Sequence, residues 1–387
     1  MRRVYLDNNA TTPVLPEVLD AMRPYFAEHF GNASSIHHHG QETRAAVERA
    51  RESMARLLGC RPAEVVFTSG GTEADNLAIF GLAKPGDHII TSTIEHHAVL
   101  NACKHLADGG CQVTNIPVDG RGVVDPADVK RAIRPNTKLI TIMWANNETG
   151  VLQPVAEIGK IAAEANVRFH TDAVQGAGKI SVNVSEIGCD LLTISGHKLH
   201  GPQGVGALYV RKGTQLEPML YGGRHERSRR AGTENVPGIV GLGKAAELAV
   251  TSLERGDDKA MCAERDRLER ELLEIEGTGV NGGGAPRVPN TTSIYFDGIE
   301  GESLVIALDL KGLAVSTGAA CSSGAIEPSH VLIAMGLRPD RAKASIRFSL
   351  GKLNKAEEVD FAFALVPATV GRLRELSPVW PKTAASR

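Results

Sequence analysis

The sequence predicts an α/β protein with a mainly parallel sheet, followed by a smaller α+β domain. Over the first two thirds of the 387 residues, short apolar stretches alternate with helical patterns, as in a parallel sheet covered by helices on both faces. After about residue 240 the order changes to a long charged helix, a Gly/Pro loop and further strands. We expect a large domain over residues 16–250 and a small domain from residues 1–15 and 251–387.

The individual elements follow from apolar periodicity and from turn residues. In the first part we expect strands at residues 64–68, 88–92, 138–144, 167–171, 190–194 and 206–210, with helices at 72–82, 96–106 and 155–165. In the second part we expect a helix at 243–275 with a break near Gly256, strands at 291–296 and 345–350, and helices at 302–311 and from Lys355 onward. Residues 238–245 have the glycine and lysine spacing of a P-loop but lack its Ser/Thr, so we interpret them as the start of a helix.

Composition excludes several classes of protein. The formal net charge of -2 provides no field that would attract nucleic acid. No uncharged apolar run approaches the roughly 18 residues of a membrane span, and the first residues lack the apolar core of a secretory signal. We expect a cytoplasmic protein that binds neither a membrane nor nucleic acid. The six cysteines are dispersed, which argues against a zinc site or a disulfide framework.

One lysine lies in an unusual loop. The apolar stretch before Ser195 ends in a segment of Ser, Gly, His and Pro that contains Lys198. Because α/β enzymes place reactive groups at strand ends, Lys198 is a candidate for an amine that forms a Schiff base with a carbonyl cofactor. The alternative is an ordinary solvated loop lysine.

Pyridoxal phosphate needs such a lysine, donors for its phosphate and an acid beside its pyridine nitrogen. Residues 69–73 join a strand to a helix through two glycines, so that the helix N-terminus and the hydroxyl of Thr72 can face a phosphate. Asp172 follows another strand and would lie at the same edge of the sheet as Lys198. Taken alone, Thr72 could be a helix N-cap and Asp172 could cap a turn.

Other strand ends carry further candidates. His96 could stack on a cofactor ring and exchange protons with substrate, although a lone histidine is more often structural. Gln175 and Asn147 offer amide donors, and the segment around Asn147 also fits a turn. Arg347 follows an isoleucine on a strand and could instead be a surface charge.

At this point the chain resembles a known family, the NifS/IscS-type cysteine desulfurases, and its NifS branch most closely. The matching segments are residues 5–13, 31–37, 68–73, 95–96, 147–150, 172–175, 195–198 and 345–351. These enzymes are class-V aminotransferases with the aspartate-aminotransferase-like fold type I. The resemblance therefore implies a large domain with a mainly parallel seven-stranded sheet, and pyridoxal 5'-phosphate as cofactor.

The resemblance also implies roles for individual residues. Lys198 would be the Schiff-base lysine and His96 the ring-stacking acid/base. Asp172 would face the pyridine nitrogen and Gln175 the ring oxygen. Asn147 would contact both cofactor and substrate.

The family match extends to the phosphate and to the substrate carboxylate. Gly71, Thr72, Ser195 and His197 would hold the phosphate. Thr233 matches a threonine that reaches the phosphate of the neighbouring subunit, which implies a homodimer. Arg347 matches the arginine that pairs with the substrate α-carboxylate.

The reaction that we expect is inferred from Cys321. This cysteine lies among small residues, within a loop of about residues 316–330 that cannot pack a core and suits a mobile carrier thiol. The resemblance implies that L-cysteine is converted to L-alanine while Cys321 holds the sulfur as a persulfide. An iron–sulfur scaffold or another sulfur acceptor would receive it. No resident metal is expected, although Cys321 could ligate an iron–sulfur cluster transiently.

Two alternatives stay open at this point. One is a selenocysteine lyase or another pyridoxal-phosphate-dependent transferase of the same fold. The other is a non-catalytic scaffold for iron–sulfur assembly, which the combination of Lys198, Asp172 and Arg347 disfavours.

Overall fold

The protein is built around a seven-stranded sheet, and the computed structural model describes residues 2–318 and 327–381. The strands are β1 (Val4–Tyr5), β2 (Val65–Thr68), β3 (His88–Ser92), β4 (Gln112–Ile116), β5 (Thr137–Thr141), β6 (Arg168–Asp172), β7 (Leu191–Ser195), β8 (Gly206–Val210), β9 (Thr278–Val280), β10 (Thr291–Phe296), β11 (Leu313–Ala314) and β12 (Ser345–Ser349). The large sheet has the order β2-β8-β7-β6-β5-β3-β4. Only β8 runs antiparallel to its neighbours, so the expectation of a mainly parallel sheet is confirmed.

Helices cover both faces of this sheet. They are α1 (Pro16–Met22), α2 (Pro24–Ala27), α3 (His38–Leu58), α4 (Gly71–Phe80), α5 (His97–Asp108), α6 (Pro126–Ala132), α7 (Val155–Glu164), α8 (Val184–Ile187), α9 (Val236–Arg255), α10 (Asp257–Leu273), α11 (Gly301–Asp309), α12 (His330–Ala334), α13 (Pro339–Lys343) and α14 (Ala356–Leu376). The break expected near Gly256 is confirmed, because this glycine has a φ of 78° and separates α9 from α10. The P-loop-like residues 238–245 lie within α9, as interpreted from the sequence.

Adjacent residues of each strand point into two different cores. Phe67, Ile90 and Leu192 belong to the core beneath α1, α3, α7 and α9. Their neighbours Val66 and Ile89 belong to the core beneath α4 and α5. Each fully buried aliphatic side chain of this kind contributes about 1.5–3 kcal/mol, so the sheet is held on both faces.

The sequence pattern misses several elements, β4 and α3 among them, and misplaces some ends. Strand β4 lies at the edge of the sheet and is only partly buried, so its apolar signal is weak. Helix α3, which the pattern also misses, packs on α9 through small side chains. A Cβ at Gly243 would lie 2.5 Å from the Cα of Ala50. The strand expected at residues 138–144 ends at Thr141, and the helix expected from residue 243 begins at Val236.

The later part of the chain forms a second sheet with a core of its own. Strand β10 lies between β12 and β9 and is antiparallel to both. Helices α10, α11 and α14 contribute to the core on this sheet. The N-terminal strand β1 pairs in parallel with β11, so the first residues lie beside this sheet.

Helix α9 is, among residues 2–318 and 327–381, the helix whose length and composition would let it span a membrane. Half of its apolar stretch is buried inside the protein. It packs there against α1 and α3. These contacts account for its apolar composition.

A buried ion pair links α3 to the loop that precedes α9. Arg51 contacts Glu226 through two hydrogen bonds of 2.8 and 2.9 Å, and their side chains are only 4% and 5% exposed. Glu226 also accepts a hydrogen bond from the backbone N–H of Phe67 in β2. Its left-handed backbone, with φ of 45°, is therefore held by three hydrogen bonds to its carboxylate.

Replacement of Arg51 by methionine should lower the free energy of unfolding by about 3–5 kcal/mol, because it leaves a buried carboxylate without its cation. Chemical denaturation measures this loss. Arg56→Met is the matched control, since Arg56 lies on the same helix and pairs with Glu254 at the surface, where both side chains are more than 60% exposed. The control should change stability by less than about 1 kcal/mol. Equal losses in the two variants would contradict the assignment.

Candidate active site

A cavity of about 410 Å³ lies where the central strands of the large sheet end. Its lining includes the predicted residues Gly71, Thr72, His96, Asn147, Asp172, Gln175, Ser195, His197, Lys198 and Arg347. Thr233 does not line it and is exposed on this chain. Cys321 lies outside the described residues.

Lys198 enters this cavity from a tight turn after β7. The turn is a short 3-10 helix over Gly196–Lys198. A Cβ at Gly196 would lie 2.9 Å from the carbonyl oxygen of Pro202, so only glycine fits there. The ammonium group of Lys198 donates hydrogen bonds to the carbonyl oxygens of Asn9 and Ala10. The N-terminal segment therefore forms one wall of the site.

The N-terminus of α4 faces the same space. Gly70 is the N-cap of this helix, so the alternative interpretation of Thr72 as the N-cap is wrong. A Cβ at Gly206 would lie 2.8 Å from the Cα of Gly70, which shows how closely β8 packs on this loop. Glu73 holds the loop by accepting hydrogen bonds from the N–H of Ser69 and from Arg230. The free N–H groups of the first helical turn are thus fixed toward the cavity.

Asp172 ends β6 as a buried carboxyl. One of its oxygens accepts the N–H of Val174 at 2.9 Å, so it also caps a turn. Burial raises the pKa of Asp172, although His96 and Lys198 oppose this shift. Burial and the nearby Asp172 raise the pKa of Asp75 well above the usual value. Two buried carboxyl groups thus line the same part of the cavity.

His96 is held at the start of α5. Its Nδ1 accepts the N–H of Ala98 at 3.1 Å, so a neutral ring carries its proton on Nε2. Burial lowers the pKa of His96, and Lys198 adds to this effect while Asp172 opposes it. Next to it, Glu95 accepts the N–H of Met143 at 2.9 Å and fastens the loop to the end of β5. His96 is therefore a fixed, neutral imidazole near pH 7.

Arg347 is buried on β12, so the alternative of a surface charge is wrong. It is 4% exposed. One terminal nitrogen contacts Asp7 at 2.7 Å, and the other donates to the carbonyl oxygen of Asn147 at 2.9 Å. Its Nε–H has no hydrogen-bond partner among the described residues. Arg347 lines the cavity, and its planar guanidinium suits a carboxylate ligand.

Comparison with known proteins agrees with this geometry. Residues 4–361 match the family model described as Aminotransferase class-V. Cysteine desulfurase IscS of Methanosarcina thermophila is 50% identical over 385 residues, which cover 98% of this chain and 95% of that protein. This chain belongs to the cysteine desulfurases of the class-V aminotransferase family.

Solved structures of the family have the same fold. A NifS-like protein superposes with a TM-score of 0.89 at 39% identity and covers 96% of this chain and 100% of its own. SspA, solved in complex with cysteine, gives a TM-score of 0.79 at 37% identity over 90% of this chain and 98% of its own. The expected family and fold type are confirmed. Members of this family depend on pyridoxal phosphate.

The residues of the cavity fit that cofactor. A protonated pyridine nitrogen beside Asp172 would compensate the carboxyl groups of Asp172 and Asp75, whose pKa values burial raises. One oxygen of Asp75 has no hydrogen-bond partner among the described residues. At the other end, the first turn of α4 offers N–H groups to a phosphate, and Lys198 supplies the amine for the aldehyde.

Sequence reasoning assigned no role to several residues that line the site. These are Asn9, Ala10, Asp75, Met143, Val174 and Gly318. Asp75 is 1% exposed in the structure, yet its sequence neighbours Glu73 and Asn76 are polar, so no sequence signal marks it as buried. Asn9 and Ala10 lie in a segment that carries the family resemblance, yet no local pattern predicts their contacts with Lys198.

Proposed function

We propose that this protein converts L-cysteine to L-alanine and retains the sulfur as a persulfide on Cys321. The observation that carries the proposal is the shared cavity of Lys198, Asp172 and Arg347, because an amine, a buried acid and a guanidinium suit a cofactor-bound amino acid. Production of alanine and sulfide from L-cysteine with a thiol reductant tests it. Absence of both products in protein loaded with pyridoxal phosphate would contradict it.

Different groups act at the Cα atom and at the sulfur atom of the substrate. Pyridoxal phosphate supplies, when bound, an aldehyde for an amine and a protonated ring that takes up the electron pair released at Cα. Lys198 would hold the cofactor, and its ε-amine would take the Cα proton of the substrate. Asp172 would keep the ring nitrogen protonated. His96, with its proton on Nε2, would stack on the ring and exchange protons with the substrate and the thiol.

Other residues orient the cofactor and the substrate. Gln175 faces the ring oxygen and Asn147 assists both cofactor and substrate. Gly71, Thr72, Ser195 and His197 hold the phosphate. Thr233, which is exposed on its own chain, reaches the phosphate of a neighbouring subunit in a homodimer.

Cys321 is proposed as the carrier from the sequence and from the residues that flank it. Gly318 lines the cavity, and Cys321 follows three residues later, within about 10 Å along an extended chain. After the loop, Ser329 donates a hydrogen bond to Glu148, and His330 contacts the carbonyl oxygen of Glu95 at 3.0 Å. Both anchors lie beside the site. We expect the thiolate of Cys321 to attack the substrate sulfur: a sulfur–sulfur bond forms as the carbon–sulfur bond breaks, and the electron pair of that bond stays on the substrate carbon, which takes up a proton to give alanine.

The sulfur acceptor follows from this chemistry. An iron–sulfur scaffold or another protein with a reactive thiol would take the persulfide sulfur.

We propose a cytoplasmic location, as the sequence indicates, and two domains with the bounds given above. Alanine yields from cysteine and from selenocysteine, each measured with and without Cys321, distinguish the desulfurase from a selenocysteine lyase. Only the activity of the desulfurase should depend on Cys321.

Replacement of Arg347 by lysine should raise the KM for L-cysteine by about 100-fold, because a planar donor to the α-carboxylate is lost. The effect on kcat should be smaller, since the carboxylate stays bound throughout the reaction. Steady-state kinetics measure both constants. Arg287→Lys is the control, as Arg287 forms a largely buried pair with Glu269 and does not line the cavity. An unchanged KM in Arg347→Lys would contradict the assignment.

A further inference from the structure

Lys179 is a cation that the proposed reaction does not use, although it lies beside the site. It follows the end of β6 and is partly buried. Its amine donates hydrogen bonds to Oε1 of Gln175 at 2.7 Å and to Oδ1 of Asn9 at 2.8 Å. Gln175 and Asn9 both line the cavity, whereas Lys179 stands behind them.

These contacts decide how the amide of Gln175 is oriented. A lysine N–H is a donor, so the atom of Gln175 that faces Lys179 must be the oxygen. The NH₂ group then points the other way, and one of its hydrogens is donated to the carbonyl oxygen of Asn9 at 3.0 Å. An amide nitrogen carries a second hydrogen. Because Gln175 lines the cavity, this second N–H can donate to a group bound there.

We propose that Lys179 is a positioning residue that fixes the amide of Gln175 so that its second N–H is presented to the ring oxygen of pyridoxal phosphate. This inference rests on the proposed function. The ring oxygen is negatively charged when it accepts such a bond, so an N–H held in place stabilises its deprotonated form. With Gln175 turned over, a carbonyl oxygen would face the same atom and repel it.

The electrostatic surroundings leave this arrangement intact. Burial lowers the pKa of Lys179 well below its usual value, and Lys198 and Arg347 add to the shift. A neutral amine still has two N–H groups, which suffice for both hydrogen bonds. The charged or titratable groups around Lys179 come from four parts of the chain: Lys198 and His200 after β7, Arg347 and Lys352 on and after β12, Asp257 and Asp258 on α10, and Asp7, which pairs with Arg347.

A double-mutant cycle on the holoenzyme tests the inference. The variants are Lys179→Met, Gln175→Leu and the combination of the two, with Lys160→Met on the exposed face of α7 as a control. The readout is the pKa of the lysine-bound cofactor, followed by its absorbance from neutral to alkaline pH. Lys179→Met and Gln175→Leu should each raise this pKa by about one unit, and the double variant should not exceed Gln175→Leu.

The outcomes separate the possible failures. If Lys179→Met raises the pKa equally in the wild type and in Gln175→Leu, Lys179 does not act through Gln175 and the inference is overturned. If wild-type protein does not bind pyridoxal phosphate, the proposed function itself fails. Should the methionine variant not fold, Lys179→Leu takes its place, because leucine likewise offers no donor to Oε1 of Gln175. It should then reproduce the rise in pKa, and an unchanged pKa would overturn the inference.

Discussion

Replacement of Lys198 by alanine should reduce alanine production from L-cysteine by about 10⁴-fold. The ε-amine of this residue has two tasks in the proposed reaction, as the attachment point of the cofactor and as the base at Cα. Both are lost in the variant. The fold should survive, because Lys198 lies on a short turn whose shape depends on Gly196 and whose backbone hydrogen bond, from the N–H of Leu199 to the carbonyl oxygen of Gly196, remains in the variant.

Two measurements separate the tasks of Lys198. The absorbance of the lysine-bound cofactor should disappear in Lys198→Ala, while pyridoxal phosphate added in excess should still bind through the contacts around its phosphate and ring. Lys104→Ala, on the exposed side of α5, should match the wild type in both assays. A Lys198→Ala variant that forms alanine within tenfold of the wild-type rate would show that another amine acts at Cα.

The sequence predicts where the residues at the strand ends lie. Carboxyl ends of parallel strands share an edge, so Asp172 after β6 and Lys198 after β7 are expected close together, and both line the cavity. The alternation of Val66 and Phe67 between two cores agrees with the expectation of helices on both faces of the sheet. Periodicity and topology suffice here because each prediction concerns one strand and its immediate neighbours.

The remaining features depend on contacts between segments that are distant in the chain. Arg347 pairs with Asp7, 340 residues away. Lys198 bonds to the carbonyl oxygen of Asn9, 189 residues away. No local pattern predicts such partners, because they depend on how the first residues pass between the two sheets. The contact of Lys179 with Gln175 spans only four residues, yet it occurs in a turn where helical spacing rules do not apply.

Replacement of Cys321 by serine should reduce activity nearly as strongly as Lys198→Ala does, but at a different step. Sulfide production from L-cysteine should fall by about 10³-fold or more, because a serine hydroxyl cannot accept sulfur as a thiolate does. Binding of pyridoxal phosphate should stay unchanged, since Lys198, Asp172 and the N-terminus of α4 are intact. The variant should also still exchange the Cα proton of bound cysteine with solvent.

This last property distinguishes the proposed division of labour from a simple loss of activity. Exchange of the Cα proton in deuterated water reports on Lys198, whereas sulfide reports on the thiol. Cys321→Ser should retain the first and lose the second, and Lys198→Ala should lose both. His96 supports the second step in its neutral form, which the lowered pKa of this residue favours near pH 7.

A matched variant shows whether the loss is specific to one thiol. Cys262 is a free, partly exposed cysteine on α10, so Cys262→Ser removes a thiol away from the cavity and should leave sulfide production unchanged. Mass spectrometry of protein treated with L-cysteine should find the added sulfur on Cys321 in both the wild type and Cys262→Ser. Full sulfide production by Cys321→Ser would instead show that sulfur leaves the substrate without a protein carrier, while Lys198 would keep its role at Cα.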